Sequence, residues 1–302
     1  MTIHAVGNVC VDTSFRLERL PQPGETLNAA AAGEGAGGKG ANQAAAAART
    51  GASVMLWAPI GKDAASDRVE ALLAAEIPVL RLTRLDLPCD RSVILIDRDG
   101  ENVIVTAAAC AEAFDPLAMT GLAATWRTGD MLLMQGNLGP AATAACLKAA
   151  RQAGLFTVLN PSPLPAEPLD LAAVSLLIVN RPEAEALTGE AEAERAARQL
   201  RAMGAENVIV TLGSAGAFVR EQSSLGLRIP AGDVEAVDAS GAGDCFAGTL
   251  AGLFAQGAPL PDAARLATQA AGIAVGRPGT LASFPTRAEF LALTKTLKLE
   301  NV

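Results

Sequence analysis

The sequence predicts an α/β protein built on a doubly wound, mostly parallel sheet with a small β-sheet lid. Three observations carry that prediction. Short apolar runs rich in Val, Ile and Leu alternate with longer Ala/Leu-rich runs, which implies parallel strands covered by helices on both faces. Half of the 302 residues are hydrophobic, enough for the core of one large domain, or of a large and a small one. Two stretches, 13–36 and 88–109, break the alternation with short β-like segments that can pair into one small sheet. The chain therefore divides into an α/β body, residues 1–12, 37–87 and 110–302, and a discontinuous lid, residues 13–36 and 88–109.

Ile3–Val6 reads as a buried strand ending at Gly7-Asn8, with Asp12 just beyond. Pro21, Pro23 and Gly24 punctuate the first excursion. A helix is expected over Gly40–Arg49, a strand at Val54–Trp57, a helix over Asp63–Ala75 and a strand at Val79–Leu82. Arg91–Asp97 and Asn102–Thr106 form a hairpin around Asp99-Gly100, a strong turn signal. Further strands are expected at Met131–Met134, Phe156–Asn160, Leu176–Asn180 and Val208–Leu212. Helices are expected over Pro140–Ala153, Pro182–Leu187, Ala191–Met203, Gly243–Gln256 and Pro261–Val275. Val237 reads as one more strand end, leading into a run of small residues.

Composition removes several classes of function. A net charge of −8 and few aromatic residues disfavour a nucleic-acid surface. No apolar run reaches the ~18 residues of a membrane span, and Met1-Thr2-Ile3-His4 does not resemble a secretory leader. The five cysteines, Cys10, Cys89, Cys110, Cys146 and Cys245, are scattered without a C-x-x-C pair, which suits a reducing cytoplasm. His4 is the single histidine, it sits in an apolar strand, and tyrosine is absent. Chemistry here must run on carboxylates, backbone amides, lysine or metal ions.

The run Asp238-Ala239-Ser240-Gly241-Ala242-Gly243-Asp244 precedes an Ala/Leu/Gly-rich helix. Small residues let a backbone approach a ligand, and amides at a helix N-terminus attract an anion. With Asp244 in the first turn, such a cradle can hold a phosphoryl group and accept a proton from an attacking hydroxyl. The bland alternative is a capped helix start, with Asp238 or Ser240 as the cap.

A second glycine-rich stretch, Gly33 to Gln43, invites two familiar patterns and satisfies neither. Gly33-x4-Gly38-Lys39 is followed by Gly40, where a P-loop needs a magnesium-binding Ser or Thr. Gly35-x-Gly37-x-x-Gly40 matches a dinucleotide fingerprint, but no acid ends the next strand at Trp57-Ala58-Pro59. A nicotinamide-dependent dehydrogenase rests on that pattern alone.

The stretch Gly37-Gly38-Lys39-Gly40-Ala41-Asn42-Gln43-Ala44, with Gly51 and Gly61 beyond it, resembles the first signature of the ribokinase family, the phosphofructokinase-B type sugar kinases. The run ending in Gly241-Ala242-Gly243-Asp244 resembles the second. Asn180-Arg181-Pro182-Glu183 is similar to the family's N-x-x-E, Thr211 to Gly216 to its nucleotide loop, and Arg277-Pro278-Gly279 with Ser283 to its monovalent-cation loop. The resemblance implies ATP-dependent phosphorylation of a hydroxymethyl group on a pentose or related polyol, in a homodimer joined through the lid. It implies Asp244 as general base, with the amides of Gly241, Ala242 and Gly243 as an anion hole. Cys10, Asp12, Gly38, Lys39, Asn42 and Asn137 would line the acceptor site together with Asp244. Asn180, Glu183, Thr211, Gly213 and Gly216 would serve the nucleotide, and Glu183 would organise Mg2+ through water. Asp238, Ser240, Ala274, Gly279 and Ser283 would hold an activating K+.

The pattern departs from the family at the acceptor positions. Cys10 and Asn137 stand where relatives place an amide and a carboxylate, Arg181 where a second glutamate is common, and Ala239 where threonine is usual. A nucleoside kinase of the same family, and a sugar-sensing binding protein on a retired kinase fold, remain as alternatives. Acceptor-dependent ATP turnover separates them.

Overall fold

The structure, a computed structural model, describes residues 1–222 and 224–300. Among the described residues, thirteen strands are arranged in two sheets: β1 (Thr2–Val6), β2 (Cys10–Arg16), β3 (Ala31–Gly37), β4 (Ser53–Ile60), β5 (Val79–Arg84), β6 (Arg91–Ile96), β7 (Asn102–Ala107), β8 (Met131–Gln135), β9 (Phe156–Asn160), β10 (Leu176–Asn180), β11 (Asn207–Thr211), β12 (Ala217–Arg220) and β13 (Leu227–Ile229). The helices among the described residues are α1 (Lys39–Arg49), α2 (Ala64–Ala74), α3 (Ala109–Ala113), α4 (Pro116–Met119), α5 (Pro140–Gln152), α6 (Arg181–Thr188), α7 (Ala193–Ala202), α8 (Ala242–Ala255), α9 (Leu260–Val275) and α10 (Arg287–Glu300).

The large sheet has the order β13-β12-β11-β10-β9-β8-β1-β4-β5 and is parallel from β11 to β5. Its central strands are mostly apolar because both faces are covered. Along β8, Met131 and Leu133 enter one core while Leu132 and Met134 enter the other, the two-residue period of a strand. Helices α1, α8 and α9 cover the first face, α5, α6 and α7 the second. The single histidine, His4, is buried in β1, and burial lowers its pKa, as a structural histidine requires. No helix among the described residues is long and apolar enough to cross a membrane.

The two excursions pair into one four-stranded sheet, β3-β2-β6-β7, as their spacing suggests. Its limits lie outside the expected 13–36: β2 begins at Cys10 and β3 ends at Gly37. The glycine-rich stretch is thus strand up to Gly37 and helix from Lys39. Gly37 faces Cys10 in the β2–β3 ladder, and a Cβ there would fall 2.0 Å from the Asp12 carboxylate, so the missing side chain makes room for Asp12.

One further expectation is corrected, and one element is new. Val237 ends no strand: its amide and that of Asp238 donate to the Val275 carbonyl at the end of α9, at 2.9 and 3.1 Å. An apolar run supplied with that acceptor needs no sheet neighbour. The antiparallel ribbon β12–β13 is absent from the sequence reading because its strands are too short for a period to show.

Candidate active site

The site forms where α1 and α8 begin, at the C-terminal edge of the large sheet. Glycines bring these elements together. A Cβ on Gly40 would lie 2.7 Å from the backbone of Gly7 and Asn8, so the first turn of α1 rests directly on the end of β1. A Cβ on Gly248 would lie 2.3 Å from the Gln43 carbonyl, so α8 packs against α1 at backbone distance. That packing places Asn42 and Gln43 on α1 beside Asp244 on α8.

Asp244 is buried and fully addressed. It accepts hydrogen bonds from Asn42 Nδ2 at 3.1 Å and Gln43 Nε2 at 2.9 Å, with Lys39 Nζ 3.9 Å away. Gln43 is itself fixed: its Nε2 also reaches Asn160 Oδ1 at 3.0 Å, and its Oε1 accepts from Gln135 Nε2 at 3.0 Å. Gln135 and Asn160 are the last residues of β8 and β9. Neither side chain caps the helix. Gly241 is the N-cap at φ 76°, in the left-handed region that glycine tolerates, and no side-chain bond closes the first turn. Of the three proposed anion-hole amides, that of Ala242 already donates to the Ala239 carbonyl at 3.3 Å.

The acceptor-side residues form a second group. Asp12 is buried and accepts from Cys10 Sγ and from Thr280 Oγ1, each at 3.2 Å. Burial raises its pKa above the usual aspartate value, and the charge of nearby Asp244 adds to the rise. Cys10 is pushed well up by burial and then by Asp12, so it stands as a neutral thiol donor, with lid residue Ser92 3.4 Å from its sulfur. Among the described residues, three buried side-chain amide oxygens have no hydrogen-bond partner: Asn42 Oδ1, Gln135 Oε1 and Asn137 Oδ1. Buried acceptors are costly when unpaired, so each suits a hydroxyl donor from a ligand. Gly38 caps α1 at φ 97°, against the Asn8 backbone.

The nucleotide-side residues Thr211, Gly213 and Gly216 line a cavity of about 360 Å3 together with Ala242 and Gly243. One cavity therefore leads to the N-terminus of α8, with Asp244 in its first turn. Gly216 sits at φ 89°, and a Cβ there would lie 1.9 Å from the Ile229 carbonyl. Gly216→Ala is expected to destabilise the chain by about 1–3 kcal/mol and to weaken nucleotide binding, read by thermal melting and by ATP titration.

Asn180 and Glu183 stand outside that lining. They close a capping box on α6: Asn180 Oδ1 accepts from the Glu183 amide at 2.8 Å, and Glu183 Oε2 from the Asn180 amide at 2.9 Å. One Glu183 oxygen is thus committed to the helix start. Mg2+ commonly keeps several waters and relies on substrate phosphates, so a single nearby carboxylate is chemically compatible with it.

The five cation-loop residues converge only in part on free donors. Asp238 Oδ1 accepts from the Ser240 amide at 2.9 Å, and its Oδ2 from the Gly279 amide at 3.0 Å and from Arg16 Nη2 at 2.9 Å. Ser283 Oγ donates to the Thr280 carbonyl at 2.7 Å, and the Ala274 carbonyl accepts from the Arg277 amide at 3.1 Å. The charge of Asp238 is already balanced by Arg16, so these residues do not fit a resident K+ as they stand.

Sequence reasoning missed Gln135, Asn160 and Arg16 as parts of the site. The only signal for the first two was an amide residue ending an apolar strand at the sheet edge where ligands of open α/β sheets gather.

Comparison with known proteins gives the family and the fold. The family model described as pfkB family carbohydrate kinase matches residues 2–287. A ribokinase of Mus musculus is 31% identical over 292 residues, covering 93% of this chain and 90% of its own. A deoxyribokinase of Salmonella typhi is 30% identical over 304 residues, covering 96% of this chain and 97% of its own. The structure of Arabidopsis thaliana ribokinase complexed with ribose and ATP superposes with a TM-score of 0.84 at 27% identity, covering 97% of this chain and 98% of that one.

Proposed function

The chain belongs to the pfkB family of carbohydrate kinases, and from that premise we propose that it moves the terminal phosphoryl group of ATP onto a hydroxymethyl group of a pentose or related polyol. One observation carries the reading. A buried carboxylate, Asp244, sits in the first turn of the helix whose N-terminus closes the nucleotide cavity, and α1 holds it from the other side.

Asp12 and the unpartnered oxygens of Asn42, Gln135 and Asn137 receive the acceptor's hydroxyls. Asp244, held by Asn42 and Gln43, accepts the proton of the attacking hydroxyl. An ordinary carboxylate suffices because phosphoryl transfer depends mainly on positioning and charge stabilisation. The amides at the start of α8, chiefly those of Gly241 and Gly243, stabilise charge on the transferring oxygens. Lys39 adds a cation beside Asp244 and the acceptor. Glu183 would organise Mg2+ through water, and the ion would supply neutralisation of the nucleotide phosphates. The small sheet is the lid, its closure excluding water from the transfer.

The lid also suits a homodimer. Its edge strand β7 exposes Val103, Ile104 and Val105, at 45%, 51% and 68%, and an apolar edge of this kind invites a second copy.

The test is ADP release from Mg-ATP across pentoses, deoxypentoses, hexoses, polyols and nucleosides. Turnover with a pentose or polyol is expected. Turnover confined to nucleosides would replace the acceptor class, and binding of sugars without any ADP release would identify a retired sensor.

A further inference from the structure

We propose that the guanidinium of Arg16 takes the electrostatic place of a monovalent cation at Asp238, fixing the lid to the anion-hole loop and making turnover independent of K+. The inference rests on the kinase reading for its catalytic consequence, and on geometry for its charge balance.

Asp238 is completely buried. A buried carboxylate is tolerated only when its charge is compensated and its oxygens are hydrogen-bonded. Both conditions are met within the chain. The amides of Ser240 and Gly279 supply two neutral bonds, and Arg16 supplies the positive charge at 2.9 Å. A small cation added to the same carboxylate would stand a few ångströms from the guanidinium and be repelled by it. Arginine suits the role, since its fork of donors and weak hydration lower the cost of a partly buried ion pair.

The pair links parts of the site that are far apart in the chain. Arg16 ends β2, the strand that carries Cys10 and Asp12 near its start. Asn102, which opens β7, donates to Ser240 Oγ at 3.1 Å. Two lid strands therefore grip residues 238–240, directly ahead of Gly241 and the start of α8. Asp238 in turn ties that loop to Gly279. Arg16 is a positioning residue: through Asp238 it sets the backbone that presents the anion-hole amides, and it does so only when the lid is seated.

Removing Arg16 would leave a buried carboxylate without its cation. A cavity of about 380 Å3 lined by Asp12, Asp238, Ser240 and Gly279 would let a small ion reach it once the guanidinium is gone. An ion pair exposed on both sides would be worth little, but here one partner is sealed from water, so the loss should be felt.

The experiment compares wild type with Arg16→Ala in KCl, NaCl and choline chloride at equal ionic strength, reading melting temperature and acceptor-dependent ADP release. Wild type is expected to show the same values in all three salts. Arg16→Ala is expected to turn over about tenfold more slowly in choline. K+ should restore most of that loss and raise the variant's melting temperature above its choline value. Wild type that needs K+ for turnover would overturn the proposal. So would a variant fully active in choline, or one slowed but unresponsive to K+. Should wild type release no ADP with any acceptor, the kinase reading fails by itself. The melting temperatures then still decide the cation claim: a K+ response confined to the variant supports it, and any other pattern refutes it.

Discussion

Asp244→Asn is expected to lower kcat by about a thousandfold while leaving the binding of ATP nearly unchanged. The substitution keeps shape and removes the capacity to take a proton. Its effect on the fold should be small for a specific reason. Asn42 and Gln43 donate to different oxygens of Asp244, and an amide keeps only one of those two acceptors. Asn42 can resolve the conflict by turning its own amide, because its Oδ1 has no partner to lose. Melting temperature should therefore stay close to wild type. A variant with near-normal turnover would show that the base lies elsewhere, since no other carboxylate is placed at the start of α8.

Asp12→Asn carries the second large effect, on the acceptor alone. Hydrogen bonds to a charged group contribute about 1.5–3 kcal/mol, so the acceptor's KM should rise by roughly ten- to a hundredfold with the KM for ATP unchanged. The pH dependence has a definite sign. Burial raises the Asp12 pKa in the folded chain, so it takes up a proton at a pH where an exposed aspartate is still ionised. The acceptor's KM should climb on the acid side within that window, between the ordinary aspartate value and the raised one. The same shift acts on stability. The folded chain holds the Asp12 proton more tightly than the unfolded chain, so this contribution is complete below the ordinary value and is lost as pH rises through the raised one. Asp12→Asn should flatten both dependences, measured by KM and by melting temperature against pH.

Much of this site was legible because its residues carry local signatures. Gly241 to Asp244 announces a ligand-facing helix start, and Gly37 to Gln43 announces a backbone that must pass close to something. The alternating apolar runs define the parallel sheet because each strand is buried on both faces. What the sequence concealed is held by contacts without any local pattern. Gln135 meets Gln43 across 92 positions and Gln43 meets Asn160 across 117, so only the packed fold shows that two amides ending strands serve one carboxylate. Arg16 and Asp238 are separated by 222 positions, and an arginine ending a lid strand looks like a solvated charge until the lid is docked. Glu183 was open to two roles, and the capping box it makes on α6 is present in the structure. The apolar run before Asp238 suggested a strand because hydrophobicity records burial, not which partner the backbone finds.

The central claim concerns the reaction itself, and the phosphorus spectrum of its product tests it most directly. With ribose or another turned-over pentose and Mg-ATP, proton-coupled phosphorus NMR should show a new monoester signal split into a triplet by the two protons of the hydroxymethyl carbon. The signal should grow with ADP and be nearly absent for Asp244→Asn over the same interval. A doublet would place the phosphate on a ring carbon bearing one proton, and inorganic phosphate alone would mean hydrolysis without transfer. Either would contradict the account of a hydroxymethyl group delivered to Asp244.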